Sequence, residues 1–422
     1  MDLELDDTIC AIATPLGEGG IGILRISGEK ALTVASTVVR LRSGRALETV
    51  QSHHLYRADL LWSSLQPQPT QAAPQDRVSR VAPQGPLDEA LVVVMRAPHS
   101  YTGENVVELH CHGGPLVLQV LCESVIRNGG RLARPGEFTK RAFLSGRLDL
   151  TQAEAVLDTI KAKTEASLRV AQAQLRGALS SEVDQVRERL IQMLAHVEAG
   201  IDFVEEDITF IHREELAGGL REAVSGLTRL IESGEEGLVL REGVTVAITG
   251  CPNVGKSSLL NALLRTDRAI VTAVPGTTRD VLEEALNIRG IPVRLFDTAG
   301  IHATDDPVEQ EGVRRSLATM EDVDLLLVLV DGSGPLTDED RELIQRQPEK
   351  RRLIVVNKCD LPQLVDGSEL SAFGGLEGPN TVVCISAKTG AGLDDLRDQI
   401  RSSVLRADCE PSEGALVTRL RH

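Results

Sequence analysis

Eight residues in the second half of the chain match a phosphate-binding loop. The segment Gly250-Cys-Pro-Asn-Val-Gly255-Lys256-Ser257 fits the pattern G-x-x-x-x-G-K-[ST], follows the apolar run VTVAIT and opens the helix-like segment SSLLNALL. Glycines let backbone N–H groups point at phosphate oxygens, Lys256 supplies positive charge to the outer phosphates, and Ser257 can ligate Mg²⁺. Because a strand precedes the loop and a helix follows it, the context favours a nucleotide site over a chance match.

Three further motifs lie in the order that a guanine-nucleotide switch protein needs. Asp297-Thr-Ala-Gly300 ends the run VRLFD, so its carboxylate can hold the Mg²⁺ shell and its glycine N–H can sense a γ-phosphate. Asn357-Lys-Cys-Asp360 ends RLIVV, and the Asp360 carboxylate can accept from guanine N1 and N2, which adenine cannot satisfy. Ser386-Ala-Lys388 ends TVVCIS. This combination predicts GTP as the nucleotide.

The segment between the phosphate-binding loop and Asp297 supplies a switch. Thr277 and Thr278 in PGTTRD offer a hydroxyl that can reach Mg²⁺ only when the γ-phosphate is present. Arg279 beside them is available as an arginine finger, although a lone arginine is more often a surface residue. Ile301 follows the DTAG motif, where a water-orienting Gln would stand, so another group must position water. Sequence alone does not choose among the candidates that follow it: His302, Asp305, Asp306, Glu309 and Glu311.

The residue composition and hydrophobic pattern change twice along the chain, which predicts three kinds of domain. Residues 1–146 open with the hairpin-like DTICAIATPLGEGGIGILRIS, followed by the strand-like LDEALVVVMRAP and the helix-like PLVLQVLCESVIRNGG, and predict an α+β domain. Residues 147–242 are rich in helix formers and predict a helical domain. Residues 243–405 alternate β-branched runs with helical segments and predict a Ras-like α/β domain with a parallel sheet, followed by residues 406–422. Residues 66–86 predict a mobile surface insertion rich in Pro, Gln and Ala.

Composition limits the partners of the chain. With 45 Lys and Arg against 62 Asp and Glu among 422 residues, the formal charge is −17, so no chain-wide positive field attracts nucleic acid or an anionic membrane. Six Phe, two Tyr and one Trp nearly exclude base-stacking platforms. Seven cysteines without CxxC spacing argue against a disulfide framework or a zinc ribbon. No basic and apolar leader and no long apolar run is present, so a soluble, cytoplasmic protein is expected.

The sequence resembles the MnmE (TrmE) family of tRNA modification GTPases over essentially all of its length. DTICAIATPLGEGGIGILRISG resembles the family's opening, and YTGENVVELHCHGGP and RLARPGEFTKRAFLSGRLDLTQAEAV resemble two further signatures. GCPNVGKSSLLNALL, VPGTTRD, DTAGI, NKCD and SAK resemble its GTPase domain. The N-terminal blocks are the more diagnostic, because many GTPases share the last set.

The resemblance implies an N-terminal domain that dimerises and binds a formyl-tetrahydrofolate, and a GTPase domain inserted into a helical one. It also implies K⁺-stimulated GTP hydrolysis that depends on two GTPase domains meeting. With an FAD-dependent partner of the MnmG type, in a heterotetramer, the family builds an aminomethyl or carboxymethylaminomethyl group at C5 of the wobble uridine of certain tRNAs. Because this chain is acidic, we expect the partner to carry much of the tRNA contact.

The resemblance also assigns roles to individual residues. Asn253 would ligate K⁺ with oxygens of Thr272, Val274 and Thr277, and K⁺ would supply charge where other GTPases insert Arg. Ser257 and Thr278 would hold Mg²⁺, and Glu309 in VEQEG would orient water. The nucleotide contacts expected from all motifs together are Asn253, Val254, Gly255, Lys256, Ser257, Ser258, Thr272, Thr277, Thr278, Asp297, Thr298, Ala299, Gly300, Asn357, Lys358, Asp360, Ser386, Ala387 and Lys388.

The implied folate contacts are Arg25, Glu108 and Arg147. Considered as residues alone, Arg25 could face solvent, Glu108 could be an ordinary strand carboxylate, and Arg147 could pair with Asp149. Arg147 stands where the family commonly has Lys, which keeps the charge but not the geometry.

The end of the chain departs from the family pattern. Residues 406–422 resemble a truncated return to the helical domain: the final VTRLRH resembles only the start of the family's last helical segment, and the terminal cysteine and folate-contacting lysine are not matched. Cys409 is no substitute for that cysteine. We therefore expect apolar stripes of the helical domain to be uncovered.

Two other functions fit parts of the sequence. A GTP-dependent switch or assembly factor acting on the ribosome or another RNA would fit the GTPase motifs, but the N-terminal blocks argue against it. A stand-alone folate enzyme with a regulatory GTPase domain is the other. His110 and His112 in ELHCHGG could suggest a metal site, although alternate strand positions near a Gly turn favour a structural role.

Overall fold

The computed structural model describes residues 7–62, 85–202, 212–267, 284–297, 323–345, 350–365, 370, 382–405 and 417–418. The chain divides into two units, residues 1–153 and residues 154–422. None of the helices within these described ranges combines the length and the apolar character needed to cross a membrane. The insertion predicted at residues 66–86 lies, except for its last two residues, outside the described ranges.

The first unit is built on a seven-stranded sheet in the order β3-β4-β5-β6-β2-β1-β7. Its strands are β1 (Ile9–Ile12), β2 (Gly19–Ser27), β3 (Val39–Leu41), β4 (Leu55–Leu60), β5 (Asp88–Met95), β6 (Val106–Gly113) and β7 (Arg131–Leu132). Its helices are α1 (Ala31–Ser36), α2 (Pro115–Arg127) and α3 (Glu137–Leu144), with a 3₁₀ turn at Leu47–Thr49. The predicted opening hairpin, the strand before residue 97 and the helix after Gly114 are confirmed.

Alternation along β6 separates the core of this unit from a polar face. Val107, Leu109 and Cys111 are buried, whereas Glu108 and the two histidines of the strand point to the other side of the sheet. The pairing of β2 with β6 sets Arg25 directly opposite Glu108. The strand register therefore places polar side chains of two strands together.

Buried charges fix α3 onto this sheet. Arg141 is only 3% exposed; its guanidinium donates to the Asp7 carbonyl at 2.8 Å and to Glu104 at 3.1 Å, and also pairs with the Asp7 carboxylate. Arg131 pairs with Asp7 and with Glu137, both at 2.6 Å. The hydrogen bond from Arg131 lowers the pKa of Glu137 to about 2. Breaking such a buried set leaves uncompensated charges, so it holds α3 in one position.

We expect this carboxylate cluster to make the first unit acid-sensitive. Because the folded pKa of Glu137 lies below its unfolded value, its contribution is complete above about pH 5 and is lost as the pH falls towards about 2. Glu137→Gln should lower the free energy of unfolding by about 2 kcal/mol near neutral pH and weaken this acid dependence. The chain's one tryptophan, Trp62, follows β4, so its fluorescence during urea unfolding reports on this unit.

The matched control is Glu123→Gln, which removes a carboxylate from an exposed pair with Arg127. We expect that variant to differ from the parent by less than about 0.5 kcal/mol. Equal acid dependence in the parent and in Glu137→Gln would contradict the assignment of the cluster.

Four helices follow the first sheet and confirm the predicted helical region. They are α4 (Leu150–Lys161), α5 (Glu165–Leu175), α6 (Ala178–Asp202) and α7 (Arg213–Glu242). Near the C-terminus, the Thr418 hydroxyl contacts the buried Gln174 carboxamide on α5 at 3.0 Å. Among the described residues of α6 and α7, apolar side chains that include Leu194 and Ile231 are more than half exposed.

The rest of the second unit is an α/β domain with a six-stranded sheet in the order β13-β12-β11-β8-β10-β9. The strands are β8 (Val244–Thr249), β9 (Glu284–Ile288), β10 (Ile291–Asp297), β11 (Leu325–Asp331), β12 (Arg352–Asn357) and β13 (Val382–Cys384). The helices are α8 (Lys256–Asp267), α9 (Asp338–Gln345) and α10 (Leu393–Val404).

All neighbouring strands of this sheet are parallel except β9 and β10. The predicted parallel α/β architecture is therefore confirmed. Because parallel strands end at the same edge, the loops after β8, β11, β12 and β13 meet there. The sheet thus brings the Gly250 loop, NKCD and SAK to one edge.

Candidate nucleotide-binding site

The phosphate-binding loop lies between β8 and α8, as predicted. The Lys256 ammonium donates to the carbonyls of Gly250 at 2.8 Å and Cys251 at 2.9 Å, which closes the loop around the lysine. Gly255 has φ +103°, and a Cβ there would lie 2.2 Å from the Asn357 carboxamide nitrogen. Glycine is required at this position both by the backbone conformation and by that close approach.

Asn357 links the phosphate-binding loop to the SAK segment. This residue, at the end of β12, is 3% exposed. Its carboxamide donates to the Val254 carbonyl at 2.8 Å and accepts from the Ala387 N–H at 3.0 Å. Three loops that are distant in sequence are therefore held in a fixed arrangement by one buried side chain.

Asp360 is prepared to act as an anionic acceptor. The Ser386 hydroxyl donates to its carboxylate at 2.7 Å and in turn accepts from the Thr389 N–H at 3.2 Å. That hydrogen bond, assisted by the nearby Lys388 and Lys358 charges, lowers the pKa of Asp360. The carboxylate is exposed and ionised, as pairing with the N1 and N2 hydrogens of guanine requires.

A cavity of about 550 Å³ lies between the phosphate-binding loop and the NKCD and SAK loops. Most of its lining residues were predicted from sequence: Asn253, Gly255, Ser258, Asn357, Lys358, Asp360, Ser386, Ala387 and Lys388. Four were not: Asn261, Ala262, Arg265 and Leu361. The first three lie with Ser258 on one face of α8, at positions i, i+3, i+4 and i+7. This spacing in the sequence was the available indication that they share the cavity wall with Ser258.

The remaining predicted nucleotide and metal residues lie outside the described part of the chain. These are Thr272, Val274, Thr277, Thr278, Arg279, Thr298, Ala299, Gly300 and Glu309, together with Ile301, His302, Asp305, Asp306 and Glu311. Asp297 ends β10, but its side chain is not among the described ones.

Two described residues of the phosphate-binding loop carry side-chain oxygen donors. Ser257 presents an exposed hydroxyl in the first turn of α8, and hard oxygen ligands suit Mg²⁺. Asn253 is exposed on the cavity wall with φ +66°, and its carboxamide oxygen suits an alkali cation. Both side chains therefore offer an oxygen ligand.

In the first unit, Arg25 and Glu108 are in contact across two strands. The Arg25 Nε donates to Glu108 Oε1 at 2.7 Å, and its guanidinium lies 5.5 Å from the ring centre of Tyr101 and 5.6 Å from that of Phe138. Arg25 therefore does not simply face solvent. Arg147 is exposed after α3 and, among these described residues, forms no hydrogen bond with Arg25 or Glu108.

The two histidines of β6 have separate carboxylate partners. His110 Nε2 lies 3.3 Å from Glu108, and His112 Nδ1 lies 2.7 Å from Asp88. The hydrogen bond with Asp88 raises the pKa of His112. No set of three or more His, Cys, Asp or Glu side chains in the described ranges is placed to share a metal ion.

The loop that closes on Lys256, the exposed Asp360 carboxylate and the parallel sheet define a P-loop GTPase domain. Two family models together match nearly the whole chain: "GTP-binding protein TrmE N-terminus" over residues 8–147 and "MnmE helical domain" over residues 150–422.

Several proteins named tRNA modification GTPase MnmE are similar over nearly the whole chain. The one from Clostridioides difficile (strain 630) is 43% identical, with 99% of this chain and 86% of that protein covered. Those from Geobacter metallireducens and Symbiobacterium thermophilum are 46% and 48% identical, covering 100% and 94% of this chain and 86% and 82% of those proteins.

Solved structures with similarity to part of the chain include the G domain of the T. maritima FeoB iron transporter and Aquifex aeolicus Era. They are 28% and 29% identical, cover 38% and 40% of this chain and 99% and 60% of those chains, and have TM-scores of 0.29 and 0.30. On the family models and the full-length relatives, the chain belongs to the MnmE family of tRNA modification GTPases. It is a GTP hydrolase that acts in tRNA modification.

We expect Ser386→Ala to make GTP binding more acid-sensitive. Without the Ser386 hydroxyl the pKa of Asp360 rises towards its ordinary value of about 4, so protonation removes the guanine acceptor at a higher pH than in the parent. Affinity near neutral pH should fall about tenfold. Titration with a fluorescent GDP analogue between about pH 4 and pH 7 measures both effects.

The matched control is Ser402→Ala on α10, whose hydroxyl donates to the Asp398 carbonyl of the same helix. It should bind GDP as the parent does at every pH. An identical pH profile for Ser386→Ala and the parent would show that Ser386 does not control the ionisation of Asp360.

Proposed function

We propose that the chain is a K⁺-stimulated GTP hydrolase that, with an FAD-dependent partner of the MnmG type, adds an aminomethyl or carboxymethylaminomethyl group at C5 of the wobble uridine of certain tRNAs. The observation that carries the hydrolase part is the cavity lined by Asn253, Asp360 and Lys388, which belong to three loops held together by Asn357. Membership of the MnmE family supports the tRNA part.

In this proposal each loop binds a different part of GTP. Asp360 accepts hydrogen bonds from guanine, Lys256 and the loop N–H groups bind the phosphates, and Ser257 and Thr278 hold Mg²⁺. Asn253 holds K⁺ with oxygens of Thr272, Val274 and Thr277. When bound, the two cations supply positive charge to the β- and γ-phosphate oxygens. Nucleotide contacts through Asp297 and the following Thr298, Ala299 and Gly300 belong to the same proposal.

We assign the orientation of the attacking water to Glu309. A carboxylate in the segment after DTAG can accept a proton from water and can compensate for Ile301, which offers no polar group. Arg279 is a second candidate for stabilising charge on the transferred phosphate.

The first unit is proposed to bind a formyl-tetrahydrofolate through Arg25, Glu108 and Arg147. The Arg25 guanidinium, already fixed by Glu108 and by two aromatic rings, offers planar hydrogen-bond donors to a pterin or a carboxylate. Prior fixation of such a side chain reduces the entropy lost on binding.

The assembly proposed here is a homodimer joined by the flavoprotein into a heterotetramer. A chain with net charge −17 has little general attraction for tRNA, so the partner carries much of the tRNA contact. Because tRNA is the substrate, we place the reaction in the cytoplasm.

We expect GTP hydrolysis to be at least about tenfold faster in KCl than in NaCl at equal ionic strength. The rate per chain should also rise with protein concentration, because the proposed mechanism needs two GTPase domains to meet. Initial phosphate release over a range of protein concentrations measures both. Equal slow rates in the two salts would contradict the cation site and favour a GTP-dependent switch or assembly factor.

Asn253→Ala should abolish the difference in GTP hydrolysis rate between KCl and NaCl, while GDP affinity changes by less than about threefold. The control variant Asn128→Ala, at the end of α2, should leave the rate difference intact. An Asn253→Ala variant that keeps the K⁺ effect would place the cation elsewhere.

Glu309→Ala should lower the rate of GTP hydrolysis in KCl by about 10² to 10⁴.

We expect Arg25→Ala to weaken binding of 5-formyltetrahydrofolate by about 10- to 100-fold, since it removes donors and leaves Glu108 without its cation. Isothermal titration calorimetry of the full chain measures this. Arg57→Ala on β4, where the side chain is 71% exposed, is the matched control and should not change the affinity. Unchanged binding by Arg25→Ala would remove the folate assignment and leave the GTPase proposal standing.

A further inference from the structure

Asp331 contacts the NKCD loop, which contains Asp360, although it belongs to none of the nucleotide motifs. It is the last residue of β11 and lies opposite Asn357 in the pairing with β12. Its Oδ2 lies 2.5 Å from the Nζ of Lys358, the second residue of NKCD. Each of the two side chains is 32% exposed, so the ion pair is partly shielded from solvent.

Asp331 is itself held in place from the other side. Its Oδ1 accepts from the Ser333 N–H at 2.9 Å and from the Ser333 hydroxyl at 2.6 Å. Burial opposes ionisation of this carboxyl, but the bonds from Lys358 and Ser333 outweigh it and lower its pKa. The carboxylate is therefore ionised at neutral pH and fixed on both oxygens.

The backbone next to Asp331 packs directly on the NKCD loop. The Gly332 N–H donates to the Asn357 carbonyl, and the Leu364 N–H donates to the Gly332 carbonyl, both at 2.9 Å. A Cβ on Gly332 would lie 2.2 Å from the Gln363 side-chain oxygen. The segment that begins at Asp331 thus contacts NKCD and the residues after it through backbone and side chain.

Lys358 is a residue whose position needs such support. Its backbone has φ +66°, a conformation that costs free energy in a residue with a side chain. Its four-carbon stem has many rotamers, and the residue lines the nucleotide cavity two positions before Asp360. An anion that fixes the ammonium also limits the conformations of the loop that presents Asp360.

We propose that Asp331 is a positioning residue for guanine recognition: it holds Lys358, and through it the NKCD loop, in the conformation that binds the base. The proposal rests on the contact between Asp360 and guanine. Asp331 acts on the affinity for the base and does not take part in phosphate transfer.

The test is Asp331→Asn, which keeps the shape of the side chain and removes its charge. Dissociation constants are measured for GTP and ITP, since ITP lacks the exocyclic N2 amine that Asp360 reads. We expect GTP affinity to fall about tenfold, the preference for GTP over ITP to fall at least about threefold, and KM for GTP to rise while kcat at saturation is unchanged. The melting temperature without nucleotide should match the parent's.

The matched control is Asp338→Asn on α9, a 99% exposed aspartate that pairs with Arg341 of the same helix. It should reproduce the parent in every measurement. The variant Lys358→Ala tests whether Asp331 acts through Lys358. The double variant Asp331→Asn/Lys358→Ala should bind GTP no more weakly than Lys358→Ala alone.

Two results in the variants would overturn the proposal. If Asp331→Asn keeps the parent's preference for GTP over ITP, with or without an equal loss of both affinities, Asp331 does not position the loop for guanine recognition. A further loss of GTP affinity of more than about threefold in the double variant would show that Asp331 acts independently of Lys358. A parent chain that binds GTP and ITP equally would instead contradict the contact between Asp360 and guanine.

Discussion

The buried carboxamide of Asn357 is the interaction on which the nucleotide site depends. Its Nδ2 donates to the Val254 carbonyl in the phosphate-binding loop, and its Oδ1 accepts from the Ala387 N–H in the SAK segment. A buried amide is costly unless both its donor and its acceptor are satisfied, and here both are satisfied by the loops that contact the nucleotide. The distance between the phosphate-binding and base-binding regions is therefore set by the core of the domain.

The charges of the cavity differ from those of the whole chain. The chain carries a net charge of −17, yet Lys358, Lys388 and Arg265 line the cavity with Asp360 as its acidic residue, and Lys256 lies in the adjoining loop. Screening in salt solution confines each charge to a range of about 8–10 Å. An acidic protein can therefore present a locally positive site to a polyanionic nucleotide.

The two candidate sites are built by different means. The nucleotide site uses loops at the edge of a parallel sheet, whereas Arg25 and Glu108 stand on the face of a mostly antiparallel sheet, opposite each other in strand register. Phe138, which packs on Arg25, belongs to α3, and the buried Arg141 fixes that helix. The ionic cluster around Arg141 thus supports the position of a side chain that it does not touch.

The sequence by itself determined the features that depend on neighbouring residues. The phosphate-binding loop between a strand and a helix, the NKCD and SAK segments after apolar runs, and the opening hairpin all follow from local spacing and turn chemistry. The residues proposed to bind folate were available only through the family resemblance, because no local pattern distinguishes Arg25 or Glu108 from ordinary strand residues.

Only the tertiary structure decided which distant side chains meet. Asp331 and Lys358 are 27 residues apart, Arg25 and Glu108 are 83 apart, and Arg141 and Asp7 are 134 apart. The wall formed by Asn261 and Arg265 likewise depends on which face of α8 turns to the cavity. Strand order and register set these contacts, and both arise from the packing of the whole sheet, which no short stretch of sequence contains.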